Sequence, residues 1–428
     1  MARKSTPSSP SSAPQSAKPI IRRTALYDYH ASRAARMVVG GGGFMFPTSY
    51  TSPIEEHLNV RSNVGIQDLS SMGEVDIKGP GAERLLNRLA VNEIRDMLPG
   101  QVKYSTLCRE DGRIVDDVTI YKFGDEHFMV VTSSSPRKET ARWIREHALG
   151  LSAYATDLTG AISFISVQGP RSREFLETIT DGIDFARLRF FRFGSAVING
   201  TELILSRSGY TGELGYELYV PSEEAQILWD YLEAEGKAFG LLPYGAEAMQ
   251  SLRIEKALPL AGPDIDGSQS PFELGLDKWI RFDKHDFIGR EALLGIQESG
   301  LNERWVGMFL ESDAPARLGD SIHSIGDVRS FREKIMTGSQ AGELLDAEKA
   351  AATVVGRISS SAKGHSLGKM LALGYVNVSH SYPGAKLMVN IGGRPVLATV
   401  TSTPFFDPTG MRMRGSSPRK TKAAQEGA

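Results

Sequence analysis

The sequence predicts an α+β protein: two related halves of mixed strand and helix, then a smaller domain made mostly of strands. Three observations carry this. Between about Pro47 and Ala148, short period-two runs alternate with amphipathic helical stretches. A Gly-Pro pair at 79–80 returns at 169–170, each time between a strand-like and a helix-like run, which marks an internal repeat. Beyond Arg304, strand signals crowd together with turns between them, as in a small barrel or sandwich.

Taken in order, the first twenty-three residues are Ser/Pro-rich, basic and free of acid, and read as a disordered tail. Residues 24–155 form the first half. "PIEEHLNVR" reads as a helix carrying His57, and "GEVDIKG" as a strand. "GAERLLNRLAVNEI" is a helix with Leu85, Leu86 and Leu89 turned inward. "VKYSTLC", "IVDDVTIYKF" and "EHFMVVTS" are three successive strands, and "SPRKETARWIREHA" is a helix opened by Ser135 and Pro136. Residues 156–303 echo this pattern: "FISVQGP" runs into the helix "RSREFLETI". The strands "SAVING", "TELILSRS" and "GYELYV" then lead to a helix with a stripe of Ile227, Leu228, Tyr231 and Leu232. Residues 304–410 are the β-rich part, interrupted by a polar, helix-like insertion at 327–353, and 411–428 read as a second tail.

Composition narrows the function. The chain has 428 residues, 41% hydrophobic and 23% charged, enough for two or three domains with a substantial core. A formal net charge of −2 gives no electrostatic reason to expect nucleic acid or an anionic membrane as partner. No apolar run approaches the roughly 18–20 residues that span a bilayer. Cys108 is the only cysteine, so neither an intrachain disulfide nor a thiolate zinc cluster can form, and it is expected as an inert buried thiol. No metal site is expected, since none of the eight histidines sits in a metal-binding pair. A reducing compartment fits a single cysteine, and the expectation is the cytoplasm, or the mitochondrial matrix if the N-terminal segment is a transit peptide.

Two stretches carry chemistry. In "DGRIVDDVTIYKF", Asp116 and Asp117 interrupt a strand, and alternation sends one carboxylate to each face. Asp is depleted in strands, so the pair is either at a solvated edge or bound by something. In "SRSGYTGELGYELYVP", glycines 209, 212 and 215 require a turn or a close approach. Glu217 follows, between Tyr216 and Leu218. It is either a solvated strand residue or a carboxylate receiving two parallel N–H donors, as from a pterin or guanine edge. "GGGG" at 40–43 lacks the features of a phosphate cradle and is expected as an entrance loop.

The stretches "EHLNVRSNVGIQDLSSMG", "GRIVDDVTIY", "SVQGP", "SGYTGELGYELYVP", "SLRIEKALPLAGPDID", "PFELGL", "DFIGREAL", "LGKMLALGYV" and "TPFFDP" together resemble the folate-dependent aminomethyltransferase family. The resemblance runs from about Glu56 to Pro408. It implies a three-domain, cloverleaf-like fold around a central cavity, with a C-terminal β-barrel-like domain and tetrahydrofolate as cofactor. It also implies roles for residues. Asp117 is matched to the essential aspartate, with Asp116 as its structural partner, and Glu217 to the pterin contact; Asp116 and Tyr216 are counted with them among the cofactor-binding residues. Tyr104, Val131 and Thr132 fall where family members line the folate pocket. His57 is the candidate general acid.

Two departures bear on the donor. Met249 stands where the T-protein pattern has an arginine, and "VTSSS" stands where it reads "VNA". With no FAD-binding motif an oxidase is excluded. The expectation is therefore a tetrahydrofolate-dependent methyltransferase, or demethylase, taking a methyl group from a small-molecule donor such as an aryl methyl ether. The alternatives are an aminomethyltransferase served by a lipoyl carrier protein, and a folate-binding regulator without turnover.

Overall fold

The computed structural model describes residues 21–34, 36–284, 286–325 and 353–415. The insertion expected at 327–353 lies almost wholly outside these residues, as does most of each expected tail. Met411–Gly415 is described, and it is tied in: Arg412 Nε donates to both oxygens of Glu213 at 2.8 and 2.9 Å.

The first sheet has five strands. Gln101–Cys108, Ile114–Gly124 and His127–Thr132 run as a meander, followed in space by Gly73–Lys78 and Tyr154–Asp157. The second has seven. In it Phe193–Ile198, Thr201–Ser206 and Gly215–Pro221 form the same meander beside Ile162–Gln168. Each half is thus a strand, a helix, a three-strand meander and a second helix.

The Gly-Pro pairs hold equivalent corners. Gly79 has φ +116° and Gly169 φ +130°, and both carbonyls accept from the first turn of the following helix. A side chain at either would strike a backbone oxygen, 2.4 Å from Ser152 O at Gly79 and 2.2 Å from Asn63 O at Gly169. Only glycine satisfies both the angle and the space.

Helices cover the outer face of each sheet. Leu85, Leu86 and Leu89 pack with Val75, Ile77 and Phe128 on the first, and Phe175, Leu228, Trp229 and Leu232 with Ile165, Leu205 and Leu218 on the second. Trp229 takes the inward place expected for Ile227, which is 61% exposed. The helix at Ala82–Leu89 stops short of the expected end. The buried Lys284 ammonium closes it by donating to the carbonyls of Asn87, Ala90 and Asn92 at 2.5–2.8 Å.

The inner faces of the two sheets meet through Val102, Tyr121, Met129, Val131, Phe164, Phe193 and Tyr219. One crossing departs from the linear reading. The strand Val64–Asp68 lies in the second sheet, paired with Ile162–Gln168, although it precedes the first sheet in the chain. Residues 24–155 therefore do not form one sheet of their own. The barrel is closed, with six antiparallel strands between Glu303 and Thr401. The helix Ala246–Glu255 wedges against it through Ile254, Leu371 and Leu373. Among the described residues no helix is long and apolar enough to cross a membrane.

Candidate functional site

Where the sheets diverge, a cavity of about 1150 Å³ opens at the centre of the three bodies. The first sheet contributes Tyr104, Asp117 and Val131, the second Phe164, Glu217 and Tyr219. The helix Ala246–Glu255 adds Met249 and Gln250, and the barrel adds Trp305. Most of the wall is apolar, and its few carboxylates are therefore conspicuous.

The strand Ile114–Gly124 positions the aspartates by alternation. Asp117 faces the cavity. Its Oδ2 accepts from the Tyr104 hydroxyl at 3.0 Å and its Oδ1 from the Ser133 hydroxyl at 3.2 Å. Burial raises its pKa, against the pull of these two hydroxyls. Tyr104 is itself pushed well above the usual phenol range by burial and by the charge of Asp117, so it keeps its proton and remains a donor.

Asp116 faces the helix side. Its Oδ2 accepts from the Ser133 amide at 3.1 Å and from the Thr140 hydroxyl at 2.8 Å, while its Oδ1 has no protein partner. Burial, then the neighbouring Asp117 charge, raises its pKa. It has no access to the cavity, so the expected cofactor contact is replaced by a buried anchor for the turn after His127–Thr132.

The strand Gly215–Pro221 does the same for Glu217. Glu217 and Tyr219 face the cavity, and Tyr216 points into the helix-side core against Phe185. The expectation for Tyr216 is thus corrected by the period of two, and the residue the sequence reading missed is Tyr219, two positions on. Glu217 Oε2 is crowded: the Ser208 hydroxyl donates to it through a short bond, and the hydroxyls of Tyr121 and Tyr219 lie 3.4 and 3.5 Å away. Burial pushes its pKa up to about 7 against these donors. Gly209 and Gly215 make this packing fit, since a side chain at either would overlap the Gln168 amide, 2.0–2.1 Å from its Oε1.

Two further expectations change. Thr132 is buried on the helix side of its strand, beside Gly73, while Val131 reaches the cavity. His57 is not at the cavity. It lies fully buried on the helix Pro53–Ser62, its Nδ1 2.6 Å from the Ser251 hydroxyl and its Nε2 2.9 Å from the Ser366 hydroxyl and 3.4 Å from Glu255. Burial lowers its pKa despite the Glu255 carboxylate. Around it, Arg61 bridges Glu213 and Glu255 at 3.0 and 2.8 Å, so His57 belongs to a polar joint between helices and barrel. Cys108 is buried as expected, and burial pushes its thiol up to about 12. The glycine run at 40–43 is the turn of a hairpin between Arg36–Val39 and Met45–Ser49.

Comparison with known proteins agrees with this geometry. Residues 26–284 match the GCVT N-terminal domain, and residues 311–407 match the glycine cleavage T-protein C-terminal barrel domain. An aminomethyltransferase of Halothermothrix orenii is 32% identical over 90% of this chain and 100% of its own length. One of Streptomyces coelicolor is 34% identical over 90% of this chain and 98% of its own. The crystal structure of aminomethyltransferase T of the glycine cleavage system from Bartonella henselae superposes with a TM-score of 0.79. It covers 91% of this chain and 99% of that one at 24% identity, a likeness of fold.

The residues fit tetrahydrofolate. A buried carboxylate with one oxygen crowded by hydroxyls stands in an apolar cavity, across from a second carboxylate held by Tyr104 and Ser133. The chain belongs to the glycine cleavage T-protein (GCVT) family, and is a tetrahydrofolate-dependent one-carbon transferase.

Proposed function

We propose that the chain is an aminomethyltransferase, moving the one-carbon unit of an aminomethyl donor on a lipoyl carrier protein to tetrahydrofolate with release of ammonia. Two lines support this choice of donor over the aryl methyl ether first expected. The relatives at 31–34% identity carry the name aminomethyltransferase over nearly the whole of both chains. His57, the candidate acid for protonating a leaving phenolate, is buried away from the cavity. The observation that carries the catalytic reading is Asp117, a cavity-facing carboxylate fixed by two hydroxyls.

When bound, tetrahydrofolate supplies N5, the nucleophile that takes the carbon. Glu217 anchors the pterin edge by accepting its parallel N–H donors. Asp117 stands ready to stabilise the cationic amine that develops at the reacting nitrogen, or to take its proton at Oδ2, where Tyr104 already donates. The apolar wall of Phe164, Met249 and Trp305 excludes water and strengthens both interactions. Val131, opposite Thr119 on the neighbouring strand, lines the cavity from the same sheet as Asp117.

A second reading, transfer of a methyl group from a small donor, is favoured by Met249, which lines the cavity where the family pattern has an arginine. Mass spectrometry of the folate product separates the two. Purified protein and tetrahydrofolate are incubated with aminomethylated lipoyl carrier protein, and separately with O-, N- and S-methyl donors. Ammonia and 5,10-methylenetetrahydrofolate in the first arm support the aminomethyltransferase. 5-Methyltetrahydrofolate in the second, with nothing in the first, overturns it.

A further inference from the structure

One row of residues crosses the inner face of the second sheet. Gln67 on Val64–Asp68 lies opposite Ser166 on Ile162–Gln168, and Ser166 lies opposite Glu217 on Gly215–Pro221. Alternation sends their neighbours Ile66, Ile165, Val167 and Leu218 into the helix-side core. Gln67, Ser166 and Glu217 all line the central cavity. Adjacent strands stand about 4.8 Å apart, so the Gln67 and Glu217 backbones are separated by about 10 Å. Two long polar side chains thus flank a short one, and the row forms a shelf on which a flat ring can lie.

The two ends of the shelf differ. At one, Glu217 Oε2 is crowded by the hydroxyls of Ser208, Tyr121 and Tyr219. At the other, Gln67 is 7% exposed and its Oε1 has no hydrogen-bond partner among the described residues. A buried amide oxygen left bare is costly, and a protein retains one where something else supplies the donor. Because Gln67 faces the cavity, that donor is a ligand N–H or O–H.

The chemistry of the ring narrows the choice, and this step rests on the folate assignment of the cavity. Glu217 takes the parallel N–H donors of the pyrimidine edge, and Asp117 attends N5 from the opposite sheet. The remaining ring donor of tetrahydrofolate is N8–H, in the pyrazine ring, which lies farther from Glu217 along the shelf. We infer that Gln67 is a specificity-determining residue whose Oε1 accepts from N8–H of a reduced pterin. N8 carries hydrogen in tetrahydrofolate and in 7,8-dihydrofolate. In folic acid it is a bare nitrogen whose lone pair opposes the amide oxygen. Gln67 therefore selects the reduced ring over the oxidised one.

The test measures dissociation constants by calorimetry, independent of turnover, for tetrahydrofolate, 7,8-dihydrofolate and folic acid. Wild type is compared with Q67M, which keeps the length but removes the acceptor, and with Q67E, which retains an acceptor oxygen; denaturant unfolding of each variant is read alongside. Wild type binds both reduced ligands more tightly than folic acid. Q67M loses about three- to tenfold for each reduced ligand, the span of one hydrogen bond, and nothing for folic acid. Q67E keeps the wild-type preference. A loss confined to tetrahydrofolate moves the contact to N5 and overturns the inference. An equal loss for all three ligands, or no loss, overturns it too, as does a folded Q67E that behaves like Q67M. A wild type that binds none of the three overturns the folate assignment, and the role of Gln67 with it.

Discussion

Asp116 and Asp117 are neighbours in one strand, yet each carboxylate lies on its own face of the sheet, and both reach Ser133. The Ser133 amide donates to Asp116 Oδ2 at 3.1 Å, and its hydroxyl donates to Asp117 Oδ1 at 3.2 Å. The residue after His127–Thr132 thus ties a buried carboxylate to a cavity-facing one. The same strand supplies a structural acid and a reactive acid, separated by a single pleat.

The first prediction concerns the reactive one. Asp117→Asn keeps the shape and both hydroxyl neighbours but removes the charge. Transfer to tetrahydrofolate falls by about 10²–10⁴-fold, the span of a lost general acid–base group. Folate affinity, measured by calorimetry on the same protein, stays close to wild type. Undiminished turnover would remove Asp117 from the chemistry.

Asp116 yields the opposite pattern. Asp116→Ala deprives the Ser133 amide of its acceptor and leaves the Thr140 hydroxyl only the Pro136 carbonyl, and costs about 1–3 kcal/mol in denaturant unfolding. Asp116→Asn retains an acceptor and deletes a carboxylate that burial and Asp117 disfavour in its charged form. It is therefore the milder change, and its stability relative to wild type improves as pH rises through the range in which Asp116 ionises. Equal losses in both variants would mean that Asp116 is held for its charge.

Much of this was legible in the sequence, and the reasons for the remainder are specific. Strand alternation is local, so the two faces of the Asp pair could be read from six residues. The repeated Gly-Pro corner is also local, because angle and close approach both demand glycine there. Tyr219 is legible by the same period of two as Glu217, two residues further along the strand. His57 was not legible, because a histidine on a helix looks the same beside a cavity and inside a joint. Its partners Ser251, Glu255 and Ser366 are about 190 to 310 residues away. The crossing of Val64–Asp68 into the second sheet was hidden for a similar reason: pairing partners are chosen by tertiary packing, which no window of sequence contains.

Glu217 links pH to binding. Its pKa of about 7 in the fold lies above the ordinary carboxylate value, raised by burial. Pterin N–H donors require the ionised form, so wild-type affinity for tetrahydrofolate declines as pH falls below about 7. Glu217→Gln weakens binding by about 1.5–3 kcal/mol at pH above 7 and flattens the pH profile. Stability runs the other way. A raised acid is protonated in both folded and unfolded chains at low pH, and stability is lost as pH rises through the folded value. Glu217→Gln thus gains stability relative to wild type between acidic and neutral pH. A variant with wild-type affinity and the wild-type profile would take Glu217 out of the pterin site.

His57 is predicted to act on the fold alone. Its ring nitrogens lie within hydrogen-bonding distance of the Ser251 and Ser366 hydroxyls, and Glu255 is close by, in a joint that also holds Arg61. His57→Ala leaves those hydroxyls and a buried carboxylate with fewer partners and opens a void, at a cost of about 1–3 kcal/mol. Because burial depresses its pKa, neutral His57 contributes stability that is present above the unfolded value and lost as pH falls. The wild type consequently loses stability on acidification more steeply than the variant does. In solution conditions where the variant remains folded, its rate of transfer and the pH dependence of that rate match wild type. A large fall in rate, with binding and folding intact, would return His57 to the catalytic machinery and imply a route for protons from the joint to Asp117.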